Sequence, residues 1–206
     1  MTHLILVRHA ESEGNRQGVM HGVTEWPLSV VGERQAELLA GALADERPVA
    51  ICSSPLQRAQ QTAGAIAGRH ALDVLTYPGL VEYDFGECEG LTGRQIMRRD
   101  PALWSRWRSG QFDDFAFPGG EAVTGFHERV RQAISAVTAV HPAGTVIAVA
   151  HCWVIASALA QLLRGEPAGW LRYASANTGV SRVQLSVDGS GVLLTFNDCN
   201  HLAVPA

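Results

Sequence analysis

The chain has 206 residues, 47% of them hydrophobic and 17% charged, with a formal net charge of -4 at pH 7. That length and composition support one large hydrophobic core, and the charge gives no basis for a nucleic-acid or membrane-surface partner, so any positive site must be local. The four cysteines (Cys52, Cys88, Cys152 and Cys199) are widely spaced with no Cys-x-x-Cys pair, which argues against a zinc site, a redox dithiol or a disulfide framework.

The N-terminus lacks the basic-then-apolar layout of a signal peptide, and its apolar run is too short for a membrane span, so the expected location is the cytoplasm. Residues 4–7 read as a buried strand, as do residues 49–52. Ser54-Pro55-Leu56-Gln57 then combines a capping serine, a proline at the first helical position and a capping-box glutamine, which predicts a helix starting there. Residues 74–77 give a third strand, and Thr92-Gly93-Arg94-Gln95 repeats the capping box. Residues 100–120, rich in Trp, Phe, Asp and Gly, read as a cap or lid leaving the sheet, whose Trp104, Trp107, Phe112, Phe115 and Phe117 are expected to pack against the sheet rather than to line a pocket. From 122 to 140 the residues Val123, Phe126, Val130, Ile134 and Val137 recur at helical spacing, predicting an amphipathic helix of about five turns. Residues 146–150 form another apolar strand. Residues 180–186 and 192–196 close the chain as a hairpin across Asp188-Gly189-Ser190-Gly191. No repeat or linker divides the chain. The expectation is one α/β domain over 1–206: a three-layer α/β/α sandwich, its central sheet mostly parallel with an antiparallel edge strand. An edge strand near the C-terminus would allow a homodimer.

Three of these strands end in polar residues of related character. The first leads into Arg8-His9, the second into Ser53-Ser54 and then Arg58, and the fourth directly into His151. Ligands of open α/β sheets bind at the carboxyl ends of the strands, so two arginines and two histidines converge on one edge beside helix N-termini. Taken singly, a histidine at a strand end is more often structural; four such groups at equivalent positions suit a phosphate dianion. His21 reads equally as a border of that pocket or as a structural histidine. There is no Gly-x-x-x-x-Gly-Lys-Ser/Thr loop and no Gly-x-Gly-x-x-Gly turn. Nor is there a His-x-x-x-His or His-x-His pair or an obvious carboxylate cluster for a metal, and no cofactor is implied. His151-Cys152 fails as a cysteine-phosphatase loop, because the arginine needed six positions after the cysteine is Ala158.

Arg8-His9-Ala10-Glu11-Ser12 with Asn15 resembles the Arg-His-Gly signature of the histidine phosphatase, or phosphoglycerate-mutase-like, superfamily. The resemblance continues through Pro27-Leu28-Ser29, Ser53-Ser54-Pro55-Leu56-Gln57-Arg58-Ala59 and the run from Glu82 to Thr92. It resumes at Pro118-Gly119-Gly120-Glu121, Ala150-His151 and Asn177-Thr178-Gly179-Val180-Ser181. It implies that His9 is a covalent nucleophile forming phosphohistidine, that Arg8, Arg58 and His151 bind the phosphoryl group, and that Glu82 is the general acid and base. It also places Asn15, His21, Gly22, Tyr83 and Cys152 around the substrate. A protonated Glu82 requires a raised pKa from burial beside Tyr83 and Phe85. Two departures stand out: Ala10 and Cys152 replace glycines of the usual pattern.

The family contains both phosphatases and 2,3-bisphosphoglycerate-dependent mutases. Tyr83 after the acid, and Phe85-Gly86-Glu87-Cys88-Glu89-Gly90, resemble the phosphatase branch, whereas Arg98-Arg99 read as a solvated helix face rather than a carboxylate clamp. The expectation is therefore a metal-independent phosphomonoesterase acting on a small phosphorylated metabolite. A phosphoglycerate mutase is the alternative, and a non-catalytic phosphate-binding module the second, disfavoured by the presence of both His9 and Glu82.

Overall fold

The computed structural model describes residues 2–110, 112, 115–186 and 189–203. In chain order the elements are β1 (Thr2–Arg8), α1 (Glu13–Gln17), α2 (Val30–Ala42), β2 (Pro48–Ser53), α3 (Gln57–Ala67), β3 (Val74–Thr76), α4 (Gly93–Arg99), α5 (Pro101–Ser109), α6 (Val123–Val140), β4 (Gly144–Ala150), α7 (Cys152–Arg164), β5 (Val180–Leu185) and β6 (Gly191–Asp198). The six strands form one sheet in the order β3-β2-β4-β1-β5-β6. β1, β2, β3 and β4 are mutually parallel. β5 runs antiparallel to both β1 and β6, so the antiparallel strand lies one in from the edge and β6 is outermost.

The unbroken apolar runs of the central strands follow from burial on both faces. Leu4, Leu6, Ala50, Cys52, Val146, Ala148 and Ala150 face one core cluster, shared with α6 and α7. Ile5, Val7, Ile51, Ile147 and Val149 face the other, shared with α2 and α3. The alternation is the period-two geometry of a strand, and it yields the three layers expected. Among the described residues no helix is long and apolar enough to cross a membrane.

Several local expectations hold. Thr92 and Gln95 form a reciprocal capping box at α4, and α6 runs from Val123 to Val140. The hairpin β5–β6 forms, although Asp188 of its expected turn lies outside the described residues. One reading needs correction. α3 starts at Gln57 with Leu56 at its N-cap and no side-chain cap; Ser54 lies two residues earlier, its hydroxyl accepting from Leu56 N–H at 3.3 Å and lying 2.8 Å from His151 Nε2. The aromatics of the stretch 100–120 pack on the core over the sheet, the more expected of their two uses. Trp107, Phe115 and Phe117 are buried in the same cluster as β1 and β4, and Trp107 and Phe117 make ring contacts with Tyr83 and Phe85. Gln111, Asp113 and Asp114 of that stretch lie outside the described residues.

Pro118, Gly119 and Gly120 close over the segment that follows Tyr83. Glu87 N–H donates to the Pro118 carbonyl and Glu121 N–H to the Asp84 carbonyl. Gly86 makes this approach possible: its φ is +51°, and an added Cβ would drive into the Pro118 carbonyl and the Gly120 amide. Gly86→Ala should therefore destabilise the fold by about 2 kcal/mol or more. Gly90→Ala, at φ +75° with open space around it, should cost only the backbone strain, about 1 kcal/mol. Urea midpoints at unchanged m-value measure both, and equal losses would contradict the packing argument.

Candidate active site

The carboxyl ends of β1, β2 and β4 are stitched together by main-chain bonds just beyond the sheet. His9 N–H donates to the Ala150 carbonyl at 3.0 Å and Ser54 N–H to the Val149 carbonyl at 3.0 Å. Thr62 ties in α3: its hydroxyl accepts from Ala10 N–H at 3.0 Å and donates to the Arg58 carbonyl at 2.8 Å. Arg8, His9, Arg58 and His151 are thereby brought to one place, as the strand-end positions predicted.

His9 is almost completely buried. Its Nδ1 lies 2.7 Å from the Ala10 carbonyl, which can only accept, so Nδ1 carries the proton and Nε2 keeps its lone pair. Arg58 Nε–H points at that lone pair from 3.3 Å. Burial, then the Arg58 and Arg8 charges, hold the His9 pKa well below the ordinary histidine value. The ring is neutral at neutral pH. His151, whose ring centroid is 5.1 Å away, is pushed down in the same way by burial and Arg58. His151 Nδ1 and Arg8 Nε are buried with no hydrogen-bond partner among the described residues.

Arg58 is fully buried and held by carbonyls: Nη1 donates to Thr24 at 3.0 Å, and Nη2 to Gly22 at 2.7 Å and His21 at 3.3 Å. Burial lowers its pKa to about 10, with Glu82, Glu25 and Glu89 resisting the shift, so it stays a cation. The 22–24 loop that seats it is fixed from beneath by the Glu89 carboxylate, which accepts from the amides of Gly22, Val23, Thr24 and Phe85.

Glu82 is buried opposite, its two oxygens accepting from Tyr83 N–H at 2.9 Å and from Trp153 N–H, in the first turn of α7, at 3.1 Å. Burial raises its pKa despite those two amides and the nearby arginines. The backbone carrying it is gripped by Arg129 of α6, which donates to the carbonyls of Gly79 (2.9 Å), Val81 (2.8 Å) and Glu82 (3.4 Å) while pairing with Glu121 at 2.7 Å.

Arg8, His9, Asn15, Val19, Met20, His21, Arg58, Glu82, Phe85, Cys152 and Trp153 line a cavity of about 270 Å³. Asn15 Oδ1 accepts from Ser12 N–H and Asn177 Nδ2, which turns its amide nitrogen toward the cavity. His21 forms a wall, its pKa lowered to about 4 chiefly by burial, with Nδ1 donating to the Val19 carbonyl. Cys152 also lines it, as a thiol pushed upward by burial. Two expected substrate contacts are corrected. The Tyr83 ring is enclosed among Phe85, Phe117 and Phe126, because an apolar cluster captures it; its amide, not its ring, serves the site by bonding Glu82. Gly22 is a seat for Arg58, and a side chain there would collide with the Tyr83 carbonyl.

The walls Val19, Met20 and Trp153 carry no local signal in the sequence. Phe85 and Glu89 stand inside the run from Glu82 to Thr92, though not as a wall and a loop anchor, and Ser54 reads there as a helix cap rather than as the partner of His151. Among the described residues no group of three or more His, Cys, Asp or Glu is arranged to hold a metal ion.

Comparison with known proteins agrees with this geometry. A family model described as histidine phosphatase superfamily (branch 1) matches residues 4–198. The chain is 32% identical to phosphoserine phosphatase 1 of Hydrogenobacter thermophilus, over 98% of this chain and 95% of that protein. It is also 32% identical to a metal-independent phosphoserine phosphatase of Arabidopsis thaliana, over 98% and 84%. The crystal structure of a phosphoserine phosphatase from Entamoeba histolytica superposes with a TM-score of 0.87 at 30% identity, covering 98% of this chain and 100% of that one. An alpha-ribazole phosphatase from Shigella flexneri gives 0.87 at 26%, covering 95% and 96%.

Buried neutral histidines make the fold sensitive to acid. His9, His151, His21 and His127 all have pKa values below the unfolded value of 6.5, the last two at about 4. Above pH 6.5 they cost nothing; as pH falls below it the unfolded chain takes up protons that the folded one refuses. Each histidine then removes up to about 1.4 kcal/mol of stability per pH unit. Glu82, with its raised pKa, works in the opposite direction by at most one proton. Denaturant midpoints should therefore drop between pH 6.5 and pH 5, and a flat profile there would contradict the neutral assignments.

Proposed function

The chain belongs to the histidine phosphatase superfamily, and from that premise we propose that it is a metal-independent phosphomonoesterase with His9 as nucleophile and Glu82 as general acid and base. The observation that carries this reading is the state of His9: neutral, protonated on Nδ1 against the Ala10 carbonyl, with Nε2 directed into a cavity shared with Arg8, Arg58 and Glu82.

In the first half-reaction the Nε2 lone pair attacks phosphorus, and the bond to the ester oxygen breaks in line. Glu82 gives its proton to the departing alkoxide, which leaves as an alcohol. The Arg58 Nε–H moves from the imidazole to a phosphoryl oxygen; at 3.3 Å its bond to His9 is a long one and easily exchanged. Arg8, Arg58 and the free nitrogen of His151 stabilise the equatorial oxygens, and Asn15 adds a hydrogen bond. The Ala10 carbonyl on Nδ1–H stabilises the positive charge that develops on the ring. In the second half-reaction the Glu82 carboxylate takes a proton from water as its oxygen attacks phosphorus. The P–N bond breaks, the lone pair returns to Nε2, and inorganic phosphate leaves with Glu82 reprotonated.

The relatives' names support a phosphatase and divide on the substrate, between phosphoserine and alpha-ribazole phosphate. A mutase would need a cation for the substrate carboxylate. Arg99 is paired outward with Glu87 at 2.6 Å, and neither Arg98 nor Arg99 lines the cavity, which favours water as the acceptor.

Purified protein should hydrolyse p-nitrophenyl phosphate with EDTA present, and His9→Ala should abolish both turnover and acid-labile labelling by a phosphorylated substrate. Labelling that survives in His9→Ala would place the nucleophile elsewhere. The Arg129 grip gives a separate test of the acid. Glu82→Gln should slow hydrolysis of an alkyl phosphate by about 100-fold or more, and that of p-nitrophenyl phosphate, whose leaving group needs no proton, much less. Arg129→Met should show the same leaving-group bias at about tenfold. A uniform loss on both esters would mean Arg129 does not position Glu82.

A further inference from the structure

Beyond the groups assigned to the phosphoryl transfer, the cavity is walled by Val19, Met20, Phe85 and Trp153. These come from separate places: the loop after α1, the segment after Glu82, and the first turn of α7. Met20 is fixed through its main chain, its N–H donating to Leu91 at 2.8 Å and its carbonyl accepting from Gly90 at 2.8 Å, so its flexible thioether is the part left to adapt. Trp153 leans on Trp107 and Trp170 at ring-centroid distances of 5.8 and 5.1 Å, which holds the indole in place.

The charge inventory of the same wall is short. The chain contains no lysine, so each of its 16 basic side chains is an arginine, and all of them lie among the described residues. Of these, only Arg8 and Arg58 line the cavity. Arg58 has Nη1 and Nη2 bound to carbonyls and Nε on His9, and Arg8 donates through Nη1 to Ser175. His21 is neutral, with both ring nitrogens engaged. At the N-terminus of α7 the Trp153 amide is committed to Glu82. A carboxylate on the leaving group would enter this space without a cation to meet it, and an unpaired charge out of water is costly.

Building on the phosphomonoesterase reading, we propose that this site takes monoesters of uncharged, apolar alcohols, aryl or long alkyl, whose leaving group packs on Met20, Phe85 and Trp153, and that it discriminates against esters whose leaving group bears a carboxylate. Apolar area removed from water on Met20, Trp153 and the leaving group itself supplies the binding, against a Phe85 that is already buried.

Phosphate release from three primary-alkyl esters tests this: 3-phenylpropyl phosphate (apolar), glycerol 3-phosphate (polar and uncharged) and 3-phosphoglycerate (carboxylate). The expected order of kcat/KM is the order given, with at least tenfold between the first and the last. Equal or greater efficiency on 3-phosphoglycerate overturns the inference while leaving the phosphomonoesterase reading intact. No release from these esters or from p-nitrophenyl phosphate would sink that reading instead. Two variants probe the wall itself. Trp153→Ala should raise KM for 3-phenylpropyl phosphate about tenfold more than KM for glycerol 3-phosphate, whatever its common effect on kcat; equal changes in KM on both would remove Trp153 from the proposal. Met20→Arg should shift the preference toward 3-phosphoglycerate by tenfold or more, and an unchanged ratio would count against the missing cation as the cause.

Discussion

Arg58 has lost all its exposure to water, and the rest of the site is arranged around making that tolerable. A buried guanidinium needs every donor met. Here the carbonyls of Thr24, Gly22 and His21 meet two arms and the His9 lone pair meets the third. Those carbonyls are presented by a short loop that has no secondary structure to stiffen it. Glu89 takes that task, gathering four main-chain amides on one carboxylate and placing a compensating negative charge beneath the cation. The cost of burying Arg58 returns as chemistry. Its charge, added to desolvation, keeps His9 and His151 unprotonated, so His9, the proposed nucleophile, has its lone pair without an adjacent base to free it.

The proposed nucleophile, His9, and the proposed acid, Glu82, are held by different parts of the fold. His9 belongs to the sheet: β1, β4 and α3 fix it through the Ala150 carbonyl and Thr62. Glu82 sits on irregular chain, and irregular chain must be tied down from outside. Arg129 does so from α6, bonding three carbonyls around the acid while Glu121 anchors the arginine and bonds Asp84 through its own amide. This gives the Pro118-Gly119-Gly120-Glu121 segment a physical role far from the phosphoryl group. The two frames meet at the cavity and at the first turn of α7, where the amide of Trp153, two residues after His151, bonds Glu82.

What could be read from the sequence follows the same division. Strands buried on both faces announce themselves as apolar runs, and residues at their carboxyl ends are located by topology, so Arg8, His9, Arg58 and His151 were legible before any coordinates. Ser54 was legible as a helix cap and does not cap α3: its hydroxyl accepts from the amide of Leu56, just before the helix begins, and sits against His151 as well. Tyr83 carries both a ring and a hydroxyl, and neighbouring Phe85, Phe117 and Phe126 decide which end governs its position. The stretch after residue 100 reads as a cap from its composition, and its aromatics as packing on the sheet; Trp107, Phe115 and Phe117 do complete the core there. Glu89 reaches the 22–24 loop across more than sixty residues of chain, a contact that no local pattern encodes.

Catalysis and leaving-group recognition are separable at the level of atoms. The side chains proposed to act on phosphorus are held by hydrogen bonds to one another and to the surrounding main chain, Arg58 and Glu82 above all, so altering one disturbs its neighbours. The wall residues are the reverse case. Met20 and Trp153 serve the framework through main-chain bonds, to Leu91, Gly90 and Glu82, which any residue other than proline can make. Their side chains are free to differ without unseating Arg58 or Glu82. A site built this way keeps its reaction while its preference is set by a few apolar surfaces. In this chain, the shortage of cations on those surfaces is as informative as the rings and the thioether that form them.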